Sequence, residues 1–338
     1  MRIAALLLAI ALPVSAAAQS VDDAIDGALD RHILPGFATL ADETEHLAAV
    51  AAEDCAPTSD MLRSAFGTAF DAWIRVSHLR FGPTETDNRT FALAFWPDSR
   101  GATPRALDGL IAAEDPAVEG PDAFADVSVA ARGFYAMELL LYDPEMMDAA
   151  SSDYGCALIR AMAADIARTA AAIDTDWRET HADLLRHAGQ NDTYRSEAEA
   201  LRTLYSAFTT GMEFTIDLRL GRPLGTFDRP RPGRAEAWRS GRSLRHVEIA
   251  LDSLGELAQI LALADDDIDT AAITQAFDTA KETAGRIDDP AFAGVATPSS
   301  RIRIEALQQR VIEARDVTAA QLAEALDLSA GFNSLDGD

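Results

Sequence analysis

The residues best suited to chemistry lie in one stretch, Arg132-Gly133-Phe134-Tyr135-Ala136-Met137-Glu138-Leu139-Leu140-Leu141-Tyr142. Phe134, Met137 and Leu141 have helical core spacing, and Glu138 is the only charge between Phe134 and Tyr142. A carboxylate in such a run is at least partly buried. It then requires a cation, a hydrogen-bond donor or a metal, or it takes up a proton. Tyr135 stands three residues before Glu138 and Tyr142 four after, so all three can share one helix face. Gly133 lets another backbone approach closely. The same pattern also suits a plain core helix in which Glu138 pairs with an arginine of a neighbouring helix.

A second cluster is basic. Gly241-Arg242-Ser243 opens a helix, and a helix N-terminus favours an anion. Arg229, Arg231, Arg234, Arg239, Arg242 and Arg245 gather around it in an otherwise acidic chain. Either this loop pairs with the acidic remainder, or it receives a carboxylate-bearing ligand or an acidic partner segment. Other catalytic templates are missing: no Gly-x-Ser-x-Gly elbow, Gly-rich phosphate loop, Cys-x-x-Cys or His-Glu-x-x-His occurs. The histidines are scattered at 32, 46, 78, 181, 187 and 246, and most read as surface or helix-end residues.

The elements that must position these residues are helical, since apolar residues recur with helical periodicity and no alternating strand pattern stands out. Helices are expected over Val21–Glu53 with a kink at Pro35-Gly36, and from a Thr58-Ser59-Asp60 cap to Phe81. Others are expected from Pro121 or Asp126 to Asp143, over Ser151–His187 with a break near Trp177, and over Ser196–Leu220. Leu244–Leu263, Ile268–Ile287 and Ser300–Leu326 complete the set. Residues 82–122 read as mixed, with an extended piece at Phe91–Phe95 and a short helix near Pro104–Ala113. Ala69-Phe70 through Leu79-Arg80-Phe81-Gly82 resembles Ala207-Phe208 through Leu218-Arg219-Leu220-Gly221, by chance or by internal duplication.

Several pieces together resemble the imelysin family, which carries Gly-x-His-x-x-Glu on a helix. Gly133-Phe134-Tyr135-Ala136-Met137-Glu138 matches except that Tyr135 stands in place of the histidine. Ile33-Leu34-Pro35-Gly36-Phe37 resembles the family's kinked first helix. Ala72-Trp73 through His78-Leu79-Arg80-Phe81-Gly82-Pro83 looks like its Trp…Gly-Pro helix end. Phe95-Trp96-Pro97-Asp98 is similar to a Trp-Pro-Asp segment of the iron-regulated branch, and Ser240-Gly241-Arg242-Ser243 to a Ser-Gly-x-Ser helix start. The resemblance spans roughly residues 30–250. It implies an all-α protein of two helical bundles, an N-terminal one over 19–190 and a C-terminal one over 191–330, with a cleft between them.

By the same resemblance the cleft would hold Tyr135 and Glu138, face Ser240 and Ser243, and be walled by Trp73 and Arg80, with His78 nearby. Imelysins are linked to iron uptake in the bacterial envelope, and one branch is classed as a metallopeptidase. A neutral imidazole suits zinc; a phenol with a pKa near 10 does not. Ferric iron could accept a tyrosinate and a carboxylate, so Tyr135 and Glu138 are the candidate metal ligands, although two are too few for a secure site. The expectation is therefore a protein that binds iron, an iron chelate or another envelope protein without catalysis. A metal-dependent peptidase and a degenerate interaction module are the alternatives.

Composition sets the compartment. Met1-Arg2, an apolar run from Ile3 to Leu12 and Ala16-Ala17-Ala18 have the three parts of a secretory signal peptide, placed over residues 1–18. The run is shorter than the ~20 residues a membrane span needs, and no second long apolar segment follows. The mature chain is expected to be soluble and periplasmic, with a frayed tail at 331–338. The chain has 55 acidic against 29 basic residues and a net charge of -26, which repels nucleic acid and anionic membranes. An oxidising compartment permits a disulfide between Cys55 and Cys156; two buried thiols are the alternative.

Overall fold

The computed structural model describes residues 16–325. The signal-peptide reading, save its last three residues, and the 331–338 tail lie outside that range. Within it the chain is all-α, with no strand among the described residues. No helix among them is long and apolar enough to cross a membrane.

The helices are α1 (Ala16–Gly27), α2 (Leu34–Glu53), α3 (Asp60–Val76), α4 (Arg89–Leu93), α5 (Ala102–Ala113), α6 (Pro121–Ala125), α7 (Gly133–Tyr142) and α8 (Pro144–Ala150). They continue as α9 (Asp153–Asp176), α10 (Ala182–Arg186), α11 (Glu197–Glu213), α12 (Arg222–Leu224), α13 (Ser243–Leu261), α14 (Thr270–Ala284) and α15 (Pro298–Ala325). α2 packs on α3 and α9, while α13 packs on α11 and α14 and reaches back to α3. Caps fix the starts: Ser59, Ser152 and Ser196 each accept a bond from a backbone N–H in the first turn of α3, α9 and α11.

Helix α7 is buried along Gly133–Leu141, which explains why its sequence is apolar all round. Both of its ends are held. Arg132 makes a two-pronged ion pair with buried Asp165 of α9, at 2.8 and 3.0 Å. At the other end Asp143 accepts from Glu145 N, capping α8, and from Arg239 at 2.7 Å. Gly133 has φ +76°, and a Cβ there would strike the carbonyl oxygens of Ala92 and Leu93. The close backbone approach expected at this glycine is present.

Several helix limits differ from the periodicity. The first long helix changes register through a π-helical segment, Ala28–Ile33, just before Pro35. The wider turn absorbs a proline that supplies no N–H. Similar π segments cover Trp177–His181 and Phe214–Gly221. α3 stops at Val76, not Phe81, where the Ser77 hydroxyl donates to the carbonyl of Ile74. The expected helix from Pro121 to Asp143 is broken between α6 and α7, because Gly133 adopts positive φ and Ser128 caps a short 3₁₀ turn. The piece expected to be extended at Phe91–Phe95 is largely α4, whose Ala92 and Leu93 are buried. The chain ends of α2 and α9 are joined by a disulfide between Cys55 and Cys156, with Cα atoms 5.2 Å apart.

Candidate functional site

Two cavities meet at Tyr135 and Trp96, whose rings stack at 5.9 Å between centroids. The outer one, of about 230 Å³, lies between the N-terminal part of α5, helix α7 and residues 233–239. Glu138, Trp238, Arg222 and Arg234 are on its wall. The inner one, of about 60 Å³, is lined by Trp73, His78 and Arg80 together with Tyr135, Arg219 and Glu236.

Glu138 is buried and accepts two hydrogen bonds on one oxygen, from Ser240 N at 2.9 Å and Ser240 Oγ at 2.8 Å. No arginine bonds to it; neighbouring Arg239 pairs with Asp143 instead. Burial pushes the Glu138 carboxyl above the usual carboxylate range, against the opposing pull of the Ser240 bonds and Arg239.

One turn earlier, the Tyr135 hydroxyl donates to Glu236 Oε1 at 2.5 Å. Glu236 Oε2 accepts from Arg219 Nε at 2.8 Å and lies 3.1 Å from His246 Nδ1. Arg219 also donates to Thr215 and Ser77. Burial alone would raise Glu236, but Arg219, His246 and Tyr135 outweigh it and hold the carboxyl down to about 2. Burial and the adjacent Glu236 charge push the Tyr135 hydroxyl well above the usual phenol range. The carboxylate is thus charged and the phenol neutral.

Behind the inner cavity, His78 Nε2 lies 3.0 Å from His32 Nε2, and His32 Nδ1 lies 3.2 Å from Glu256. Burial first, then His32, Arg219 and Arg75, holds His78 well below the usual histidine range. The surface or helix-end reading therefore fails for His32 and His246, which are buried, while His78, expected near the cleft, is buried on the wall of the inner cavity. Each ring has at least one polar partner, and His246 Nε2 is buried without one.

Among the expected site residues, Tyr135, Glu138, Trp73, His78 and Arg80 line the paired cavities, and Ser240 is bonded to Glu138. Ser243 and Arg242 lie elsewhere. The Ser243 hydroxyl is spent on the Glu236 carbonyl at 2.6 Å. Arg242 turns to Asp71, which also pairs with Arg245 at 2.6 Å. Asp71 thus occupies the basic helix start that the sequence offered to an anion. Tyr142 packs on Phe66 and lies outside both cavities.

Sequence reasoning missed Glu236 and Arg219 as site residues. A lone acid at 236 between two alanines, inside an arginine-rich stretch, was the available signal.

Iron held by Tyr135 and Glu138 does not fit these donors. A ferric ligand would have to be a tyrosinate, which would forfeit the bond that the hydroxyl donates to Glu236 and set a second negative charge beside that carboxylate. No group of three or more His, Cys, Asp or Glu among the described residues is arranged to hold a metal ion.

Among the described residues the chain is all-helical, with a Gly-x-Tyr-x-x-Glu helix buried beside a polar cavity. The chain belongs to the imelysin family, which matches it over residues 33–318. The fold is similar to that of an imelysin-like protein from Psychrobacter arcticum 273-4, with a TM-score of 0.76 and 18% identity. That similarity covers 96% of this chain and 100% of the other. It is also similar to a protein provisionally described as an iron-regulated protein A precursor from Parabacteroides distasonis ATCC 8503. There the TM-score is 0.73 at 11% identity, over 90% of this chain and 95% of that one. No curated protein matches the chain significantly.

Proposed function

We propose that this imelysin is an exported, periplasmic binding protein of iron acquisition that holds an iron-bearing ligand in the outer cavity without catalysis. The observation that carries the reading is the state of the motif itself. Tyr135 stands at the motif's histidine position with its hydroxyl committed to Glu236, and Glu138 is held on one oxygen by Ser240. The polar cavity beside them has room for a ligand fragment. The signal-peptide pattern supports export, and the likeness to an iron-regulated protein A precursor supports the link to iron.

The iron is cargo here and arrives already chelated, since Tyr135 and Glu138 do not suit a bare ion. Titrating the mature protein with a ferric chelate, followed by tryptophan fluorescence, tests this. Saturable one-to-one binding that Trp238→Ala weakens is expected. No saturable response to any ferric chelate would sink the reading.

A further inference from the structure

The wall of the outer cavity carries Arg222 and Arg234. Arg222 Nε is buried without a hydrogen-bond partner among the described residues. An unpartnered guanidinium beside a cavity favours an acceptor that comes from outside.

The charges agree. Neither Arg222 nor Arg234 makes an ion pair among the described residues, whereas Arg239, Arg242 and Arg245 all do. Burial and the nearby Arg234 charge push the Arg222 guanidinium below its usual range. Two guanidiniums left to repel each other are unexpected in a chain of net charge -26, where carboxylates are plentiful. Of the acids that share the cavity, Asp98 accepts from the backbone N–H of Thr103 at 2.8 Å and of Arg100 at 3.2 Å, and Glu138 accepts on one oxygen from Ser240.

Aromatic surface completes the wall. The Arg222 guanidinium sits 5.6 Å from the Trp96 ring centre, and Trp238, on the same cavity, is 38% exposed. Stacking on a ring holds a guanidinium in place while leaving its in-plane N–H groups free for a planar acceptor.

We infer that the outer cavity is a carboxylate site, in which Arg222 and Arg234 grip a carboxylate-bearing ligand, and Trp96 and Trp238 cover the ligand's less polar part. This deepens the binding reading above and rests on it only for the link to iron. A free organic acid and an uncoordinated carboxylate on an iron chelate share the recognised chemistry, and the two can be told apart.

The test is calorimetric titration of the mature protein with three probes: iron-free citrate, ferric citrate, and a ferric trihydroxamate that carries no carboxylate. Both citrate forms, or ferric citrate alone, should bind. Arg234→Gln, an exposed position that leaves the fold intact, should weaken binding about tenfold or more, and Arg222→Met at least as much. Helical circular dichroism should stay unchanged in both variants. Equal binding of citrate with and without iron would support the carboxylate site and remove the iron reading. Binding of the trihydroxamate but of neither citrate form would keep the iron reading and overturn the carboxylate site. Citrate binding that survives Arg222→Met and Arg234→Gln undiminished would overturn it as well.

Discussion

Tyr135 donates its hydroxyl to Glu236 across 2.5 Å, joining the central helix α7 to a residue one hundred and one positions later. The bond fixes the wall shared by the two cavities. It also explains how a tyrosine can stand at the family's histidine position: the phenol meets a buried carboxylate that needs donors. Tyr135→Phe should leave Glu236 with Arg219 and His246 only. A hydrogen bond to a charged group contributes about 1.5–3 kcal/mol, and chemical denaturation should show a loss of that order. An unchanged midpoint would mean that the bond does not hold the wall.

Glu236 should make stability depend on acid. Its carboxyl titrates near 2 in the folded chain, against 4.5 for an unperturbed glutamate. A depressed acid stabilises the fold above its unfolded pKa, and that stabilisation disappears as pH falls through the folded value. About 3 kcal/mol should therefore be lost between roughly pH 4.5 and pH 2. Glu236→Gln should abolish this part of the acid dependence. At neutral pH it should cost about 3–5 kcal/mol, because Arg219 is left buried without its counter-ion. Parallel acid titrations of the two proteins would count against this account.

Gly133→Ala should be among the most damaging small substitutions. The added methyl meets two carbonyl oxygens of α4 at a backbone φ of +76°. Strain of this kind costs on the order of 1–3 kcal/mol before any clash is counted. A melting temperature within a degree of the parent would refute the close approach.

The disulfide spans a separation of 101 residues. Replacing Cys55 and Cys156 by serine should lower unfolding free energy by about 2–5 kcal/mol. Urea unfolding of oxidised and serine forms measures this directly, and equal midpoints would contradict it.

Much of this fold was legible, and the reasons for the rest are physical. Apolar periodicity locates α3, α9, α13 and α15 because each buries one continuous face. It cannot locate the π segments at Ala28–Ile33 and Phe214–Gly221, since one extra residue in a turn leaves the composition unchanged. Those two segments carry His32 and Arg219 into the interior, so His32 and the partner of Glu236 stayed hidden with them. Tyr135 and Glu138 were readable because a polar group in an apolar run must be explained locally. The family resemblance put Ser240 facing the cleft, but its bonds to Glu138 appear only in the tertiary fold. Arg242 and Ser243 misled because a helix start looks open until the residue facing it, Asp71, is placed by the tertiary fold.

The protein should hold an iron-bearing ligand in the outer cavity and cleave nothing. The most direct measurement incubates the mature protein with ferric citrate and an unfolded polypeptide, then separates protein from small molecules by gel filtration. Iron retained at about one equivalent, with the polypeptide intact, is the predicted result. Chelator-sensitive cleavage that Glu138→Gln abolishes, or no retained iron, would contradict it.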